Sequence, residues 1–474
     1  MADFDQFVSQ LQKDLESESQ ITHPVIANQV IANPVITAPI ANQLPIPIKL
    51  NIMIVSTHLN QTTGYAKVSH GLIQELSKIP WIHVIHYAIQ SMGIDVSKRV
   101  YPSNVSVIDV IKIEKDAKTK GGFGVKELPS YIQAIKPHIL LIYNDLGVIH
   151  NYIEEIKRTG IPREFKIWTY LDQVYPFQLP PLIDTLNRDV DRIFCFTKEW
   201  KDVLKKQNVC RPIDVMQHAF CSDIFSPVSQ AVARESAKLP LDSFIFLSMN
   251  RNQPRKRLDI LIMSFVELIS KYPSKPIFLM CVCDKGERGG YPLFDIFARE
   301  LLRRGASLDH FGSRLMLVAK DMCYTDAEIN LFYNMTDCGV SCAEGEGFGL
   351  CAFEQMGVGV PQILTDVIGH REYCFHEKNG LLVKPAIRAY LPTGYCSTGG
   401  EIELVDYKDF AKAMEVYMLD DVMRKAHGAV AREHVLTYTW TKVMHTFMRR
   451  LHTSYDELLE DLDDVNDLHL PSKG

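Results

Sequence analysis

The sequence predicts an α/β protein of two Rossmann-like domains that face one another across a cleft. Three observations lead there. Short, nearly continuous apolar runs recur at 50–55, 82–87, 105–111, 138–143, 166–170, 192–196 and 213–217. A second series follows at 244–249, 276–282, 314–318, 337–341, 361–364 and 380–383. Runs of this length suit strands buried on both faces. Between them lie stretches of helical period, such as Leu258, Leu261, Ile262, Phe265, Leu268 and Ile269. Helices between strands imply crossover units and parallel sheets. The two series are broken near 226–241, which predicts two sheets rather than one. Open parallel sheets hold ligands at the carboxyl ends of their strands.

The composition fits that class. The chain has 474 residues, 46% hydrophobic and 23% charged, which is ordinary for a globular protein. No apolar run approaches the roughly 20 residues that span a bilayer. The net charge is −6. Asp456, Glu457, Glu460, Asp461, Asp463, Asp464 and Asp467 cluster near the end with no base among them, so the body is close to neutral. A neutral body lacks the basic footprint of a nucleic-acid binder. The 11 cysteines show no paired C-x-x-C spacing, which predicts reduced thiols and a cytoplasmic setting.

The first 48 residues read as a low-complexity tail. Positions 21–48 carry no Asp, Glu, Lys or Arg, hold Pro24, Pro34, Pro39, Pro45 and Pro47, and repeat Ile-Ala-Asn from Ile26, Ile31 and Ile40. No secretory leader pattern precedes them. The expected layout is a tail over 1–48, a first domain over 49–228, a second over 229–430, a helix over 431–455 returning to the first domain, and an acidic tail over 456–474. Residues 386–406 read as an insertion.

The most informative stretch is Glu344-Gly345-Glu346-Gly347-Phe348-Gly349-Leu350-Cys351-Ala352-Phe353-Glu354, directly after the run at 337–341. Gly347 and Gly349 allow a tight turn and a close approach of backbone to ligand. A helix then starts at Leu350, and its free N–H groups favour an anion. Glu346 falls in the loop and Glu354 one turn into the helix. Carboxylates there suit sugar or ribose hydroxyls. Two solvated glutamates beside a glycine turn fit the same residues.

Three further stretches end strands. Asn250-Arg251-Asn252-Gln253-Pro254-Arg255-Lys256-Arg257-Leu258-Asp259 follows 244–249. Thr62-Thr63-Gly64-Tyr65-Ala66-Lys67-Val68-Ser69 follows the first strand. Tyr170-Leu171-Asp172-Gln173-Val174-Tyr175-Pro176 ends another. Met216-Gln217-His218-Ala219-Phe220, leading to Phe225 and Pro227, closes the first series.

Together these motifs resemble the retaining, nucleotide-sugar-dependent glycosyltransferases of family 4, which have the GT-B fold. Glu346 and Glu354 match that family's E-x7-E. Glu354-Gln355-Met356-Gly357-Val358-Gly359-Val360-Pro361 is similar to its E-A-M-A-x-G-x-P. Thr365 to Glu372 is similar to S-D-x-G-G-x-x-E, and Asn379-Gly380-Leu381-Leu382-Val383 matches N-G-L-L-V. Arg251 and Lys256 stand five apart, as in G-R-x-x-x-x-K. His218, Phe225 and Pro227 resemble the hinge motif, a structural role.

The resemblance implies a hexosyl transfer with retention of configuration from a nucleotide-diphosphate sugar to a hydroxyl acceptor. Arg251 and Lys256 would neutralise the leaving diphosphate, so that no metal is required. Glu346 would hold the donor sugar, helped by backbone amides of Phe348, Gly349 and Leu350, and Glu354 would hold the ribose. Gly64 would lie against acceptor or phosphate. Asp172 stands where many members carry a histidine and is the candidate for positioning the acceptor hydroxyl. The donor is a substrate, so no cofactor is expected. A glycan, protein or lipid-linked acceptor fits equally, the last with a peripheral membrane contact. A sugar-nucleotide epimerase, a phosphorylase or a non-catalytic nucleotide-sugar-binding protein on the same fold are the alternatives.

Two features are set aside. Gly121-Gly122-Phe123-Gly124 lacks the context of a dinucleotide-binding turn. Asp461-Leu462-Asp463 reads as solvated charge. Arg255 and Arg257 are read as a solvated face.

Overall fold

The computed structural model describes residues 48–468, except 94, 96, 117–120, 284–288, 319–323 and 393–395. The tail expected over 1–48 therefore lies outside the described residues up to 47, as do residues 469–474.

Seven strands make the first sheet: β1 (Leu50–Thr57), β2 (Ile82–Ile89), β3 (Ser106–Asp109), β4 (Ile139–Asp145), β5 (Lys166–Asp172), β6 (Arg192–Cys195) and β7 (Ile213–Val215). Their order is β3-β2-β1-β4-β5-β6-β7, and every pair is parallel. Six more make the second sheet: β8 (Phe244–Met249), β9 (Ile277–Val282), β10 (Leu315–Val318), β11 (Cys338–Ser341), β12 (Gln362–Thr365) and β13 (Leu381–Val383). Their order is β10-β9-β8-β11-β12-β13, again all parallel. The near-continuous apolar runs are explained by helices on both faces, which leave β1, for example, buried at all but one position.

The helices that position the site are α1 (Gly64–Ser77), α2 (Leu146–Thr159), α3 (Leu258–Lys271), α4 (Asp326–Met335), α5 (Leu350–Gly357) and α6 (His445–Leu468). Side chains cap three of them, as polar residues before apolar stripes should. Thr63 accepts from Ala66 N at α1. Asp145 accepts from Val148 N at α2. Thr325 and Glu328 form a capping box at α4.

Each sheet has one point where the strand order reverses, between β1 and β4 in the first and between β8 and β11 in the second. Ligand crevices form at such points, beyond the carboxyl ends of the strands. The loops after β1, β8 and β11 are those carrying the motifs, so each sheet presents its motif loops at its own reversal point.

Two elements differ in extent from expectation. The run at 105–111 is strand only over β3, and Val110–Asp116 is helical. The segment read as an acidic tail continues α6 as far as Leu468. The charges explain this in part, because Lys166 pairs with Glu457 and Arg450 grips Asp214 at 2.9 and 3.1 Å. Trp81 stacks on Tyr455 at 4.7 Å, and Phe447 packs on Phe194 at 4.9 Å, so α6 lies against the first sheet. The insertion at 386–406 is a hairpin, β14 (Ile387–Tyr390) antiparallel to β15 (Glu401–Leu404). No helix among the described residues is long and apolar enough to cross a membrane. The ten described cysteines are free thiols.

Candidate active site

The loop after β11 places Glu346 against the short helix after β8. Lys256 Nζ donates to Glu346 Oε1, and Arg255 Nη1 donates to Oε2 at 3.1 Å. Glu346 is only 6% exposed. Burial alone would raise its carboxyl pKa, but Lys256 and Arg255 outweigh burial and hold it well below the usual carboxylate range. Glu346 is thus a fixed anion between two fixed cations.

Glu354 lies in α5 and is likewise buried. Lys67 Nζ, from α1 of the first domain, donates to both of its carboxylate oxygens at 2.9 Å. Tyr333 OH donates to it at 2.8 Å. Lys67 is also 3.6 Å from Asp326, and Arg99 donates to Asp326 at 3.0 and 2.9 Å. Burial of Glu354 outweighs Lys67, so its carboxyl lies above the ordinary value.

Asp172 ends β5 and looks across at the same loop. Tyr65 OH donates to Asp172 Oδ2 at 2.6 Å. A Cβ on Gly347 would fall 2.0 Å from Asp172 Oδ1, so only glycine lets the two domains meet there. Burial raises the Asp172 carboxyl to about 6, opposed by the Tyr65 hydrogen bond and by Arg255. Trp200 Nε1 donates to the Gly347 carbonyl at 2.8 Å, a second tie to the glycine loop.

Most of the expected residues come together. Glu346, Lys256 and Asp172 meet around Gly347. Gly64 opens α1 opposite Leu350, whose Cδ1 would lie 2.8 Å from a Cβ there. Gly349 caps α5 with φ of 90°. Phe348 is buried, its ring 4.7 Å from His218 and 5.0 Å from Phe353. His218 shares a hydrogen bond of 2.7 Å with Tyr170 OH, and burial lowers its pKa to about 3, as suits a neutral packing residue.

Arg251 is exposed on the loop after β8. Arg255, read above as a solvated face, instead joins Lys256: the turn Pro254–Lys256 is a short 3-10 helix that aims both at Glu346. Arg257 does bond to its neighbour Asp259, at 3.0 and 2.7 Å. Sequence reasoning assigned no role to Lys67, Tyr65, Trp200 or Tyr333. Lys67 and Tyr65 carried a signal, since both sit within one turn of Gly64. Trp200 and Tyr333 carried none, because their partners are fixed by tertiary packing, between the domains for Trp200 and within the second domain for Tyr333.

Two facing domains thus present fixed cations, buried carboxylates and a glycine loop at a helix start. That set can hold a diphosphate and several hydroxyls. Residues 243–391 match the family model described as "Glycosyl transferases group 1". That segment holds the Glu346–Lys256–Arg255 group and Glu354. Two curated relatives are D-inositol 3-phosphate glycosyltransferases. The one from Thermobispora bispora is 27% identical over 34% of this chain and 36% of its own. The one from Catenulispora acidiphila is 29% identical over 34% and 36%. The match thus spans about a third of those relatives. Solved structures share the whole fold. Sucrose-phosphate synthase from Thermosynechococcus elongatus superposes with a TM-score of 0.61 at 16% identity, covering 86% of this chain and 100% of that one. Anabaena HepE, solved with UDP-glucose, gives 0.62 at 13%, covering 85% and 99%. The architecture is GT-B, with a glycosyl transferases group 1 segment as its second domain.

Proposed function

We propose that this chain is a retaining hexosyltransferase of glycosyltransferase family 4, moving a hexosyl unit from a UDP- or GDP-sugar to a hydroxyl acceptor without a catalytic metal. The observation that carries the reading is Glu346 held between Lys256 and Arg255 directly opposite Asp172.

The chemistry follows from the charges. Departure of a nucleoside diphosphate puts negative charge on the phosphates in the transition state. Lys256 and Arg255 are fixed cations that stabilise that charge more than the ground state. Arg255 suits bidentate phosphate contact, and Lys256 acts as a point charge. Glu346, released from them, accepts from hydroxyls of the donor sugar. Backbone amides at Phe348, Gly349 and Leu350 add to this at the start of α5. Glu354 accepts from the ribose hydroxyls once Lys67 yields it. Asp172 accepts from the acceptor hydroxyl, and the leaving phosphate takes the proton on the same face, which retains configuration. Closure of the two domains keeps water from the donor. The solved HepE complexes with UDP and UDP-glucose support a uridine donor on this fold.

The test is release of nucleoside diphosphate from UDP-, GDP- and ADP-sugars by wild type and by Glu354→Ala. One donor hydrolysed slowly by wild type and not by the variant supports the reading. Equal rates in the two proteins would remove Glu354 from the donor site.

A further inference from the structure

Tyr65 sits in the first turn of α1 and has no part in the chemistry above. Its hydroxyl donates to Asp172 Oδ2 at 2.6 Å. Among the described residues no other side chain donates to that carboxylate. The tyrosine is held in place by packing. Its ring lies 5.0 Å from that of Tyr143, which lies 4.7 Å from Tyr170, and Tyr170 is tied to His218 at 2.7 Å. The backbone beneath it is set by Thr63, which caps the helix through Ala66 N at 3.3 Å. A side chain already ordered by its neighbours gives up little entropy when it makes a hydrogen bond.

Asp172 is part-exposed, between the buried Leu171 and Gln173. With Oδ2 taken by Tyr65, Oδ1 is the oxygen that faces Gly347 of the other domain. Several elements bring charge to this carboxylate. Tyr65 comes from α1, Asp145 from the end of β4, Glu346 from the glycine loop and Arg255 from the turn after β8. Tyr143 and Tyr170 add hydroxyls from β4 and β5. Burial, Asp145 and Glu346 favour the protonated carboxyl, while Tyr65 and Arg255 favour the ionised one, and the balance falls at about 6. Arg255 is bonded to Glu346 at 3.1 Å, so of the two favourable groups only Tyr65 is in hydrogen-bonding contact with Asp172. A hydrogen bond to an ionised group shifts an equilibrium by roughly tenfold or more. Losing it would carry the Asp172 titration into the neutral range. A protonated carboxyl turns one acceptor oxygen into a donor.

We propose that Tyr65 is a positioning residue for the transfer: its hydroxyl fixes the plane of the Asp172 carboxylate and keeps it an acceptor, leaving Oδ1 for the incoming hydroxyl. The inference rests on the reading of Asp172 as the group that receives the acceptor. Tyr65 acts through Asp172 alone. The first turn of α1 thereby serves both sides of the site, since Tyr65 holds Asp172 and Lys67, two residues on, holds Glu354.

The variant for the test is Tyr65→Phe, which keeps the ring on Tyr143 and removes only the hydroxyl. The assay is hydrolysis of UDP-, GDP- and ADP-sugars, in which water is the hydroxyl acceptor. It is run across pH for wild type, Tyr65→Phe, Asp172→Asn and the double variant, with kcat read apart from KM for the donor. The acid limb of kcat is expected to move up by about one pH unit in Tyr65→Phe, with donor KM changed less than about twofold. In the Asp172→Asn background the limb is absent, and Tyr65→Phe costs less than about twofold more. A second readout needs no substrate. In protein carrying ¹³C at its aspartate carboxyls, the signal lost in Asp172→Asn reports that group, and its titration should rise likewise in Tyr65→Phe. A limb or a titration left at the wild-type position in Tyr65→Phe overturns the inference and leaves Asp172 in its role. So does an equal loss from Tyr65→Phe with and without Asp172. An Asp172→Asn protein that keeps the wild-type limb removes Asp172 from the reaction, and the inference with it, while the donor site stands. Absence of hydrolysis of every sugar nucleotide by wild type overturns the glycosyltransferase reading and the inference together.

Discussion

Lys67 and Glu354, 287 positions apart in the chain, meet across the cleft, with Nζ donating to both carboxylate oxygens at 2.9 Å. The carboxylate proposed for the ribose is held by a cation of the opposite domain. Removing one partner of a buried pair strands the other, typically at about 3–5 kcal/mol. Lys67→Met is therefore expected to lower the thermal midpoint by several degrees. Lys67→Met/Glu354→Gln, which removes the stranded charge, recovers most of it. Losses that simply add in the double variant would show that the pair is not coupled.

The two cations on Glu346 set a second expectation. Lys256→Ala lowers turnover more than tenfold, and Arg255→Ala does likewise, while both proteins stay folded by circular dichroism. Arg251→Ala is expected to cost less than either, because Arg255 and not Arg251 bonds to Glu346. The order Arg251 worse than Arg255 contradicts the assignment of the phosphate cations.

Gly347→Ala adds one methyl, and its carbon would sit 2.0 Å from Asp172 Oδ1. The domains must part to admit it. Turnover is expected to fall at least tenfold with little change in thermal midpoint. Near-normal turnover argues that the two domains need not meet at this point.

Asp172 gives the pH dependence. Its carboxyl titrates at about 6 in the folded protein, against roughly 3.9 in an unfolded chain. The ionised form is the hydrogen-bond acceptor, so kcat/KM for the acceptor should fall as pH drops below about 6. Glu346, held far lower, stays ionised throughout. Asp172→Asn should remove the inflection. The stability term has the opposite sign: folding disfavours ionisation of Asp172, so its contribution to stability is lost as pH rises through about 6. A profile in Asp172→Asn with the same inflection assigns it to another group.

The strands and the glycine loop are legible because their signals are local. Apolar runs and Gly347 to Leu350 declare themselves within a few residues. Glu346 and Lys256 were legible as a resemblance. Arg255 was not, because consecutive bases on a loop look alike until the 3-10 turn Pro254–Lys256 points two of them inward. Trp200 and Tyr333 were invisible for a different reason: each acts through a partner more than 20 positions away, set by tertiary packing. The helical course of the acidic segment is not legible, because charge composition does not show that the first sheet supports the start of that helix.

The hydrogen bond from Trp200 to Gly347 has an optical consequence. The chain has four tryptophans. Trp81 and Trp168 pack against α6, and Trp440 lies over Gly71 of α1. Trp200 alone among them bonds to the glycine loop, with its indole buried between the domains. Its emission is an intrinsic gauge of how the two halves sit. With Trp81, Trp168 and Trp440 changed to phenylalanine, a red shift on opening would time the motion of the cleft without any added label.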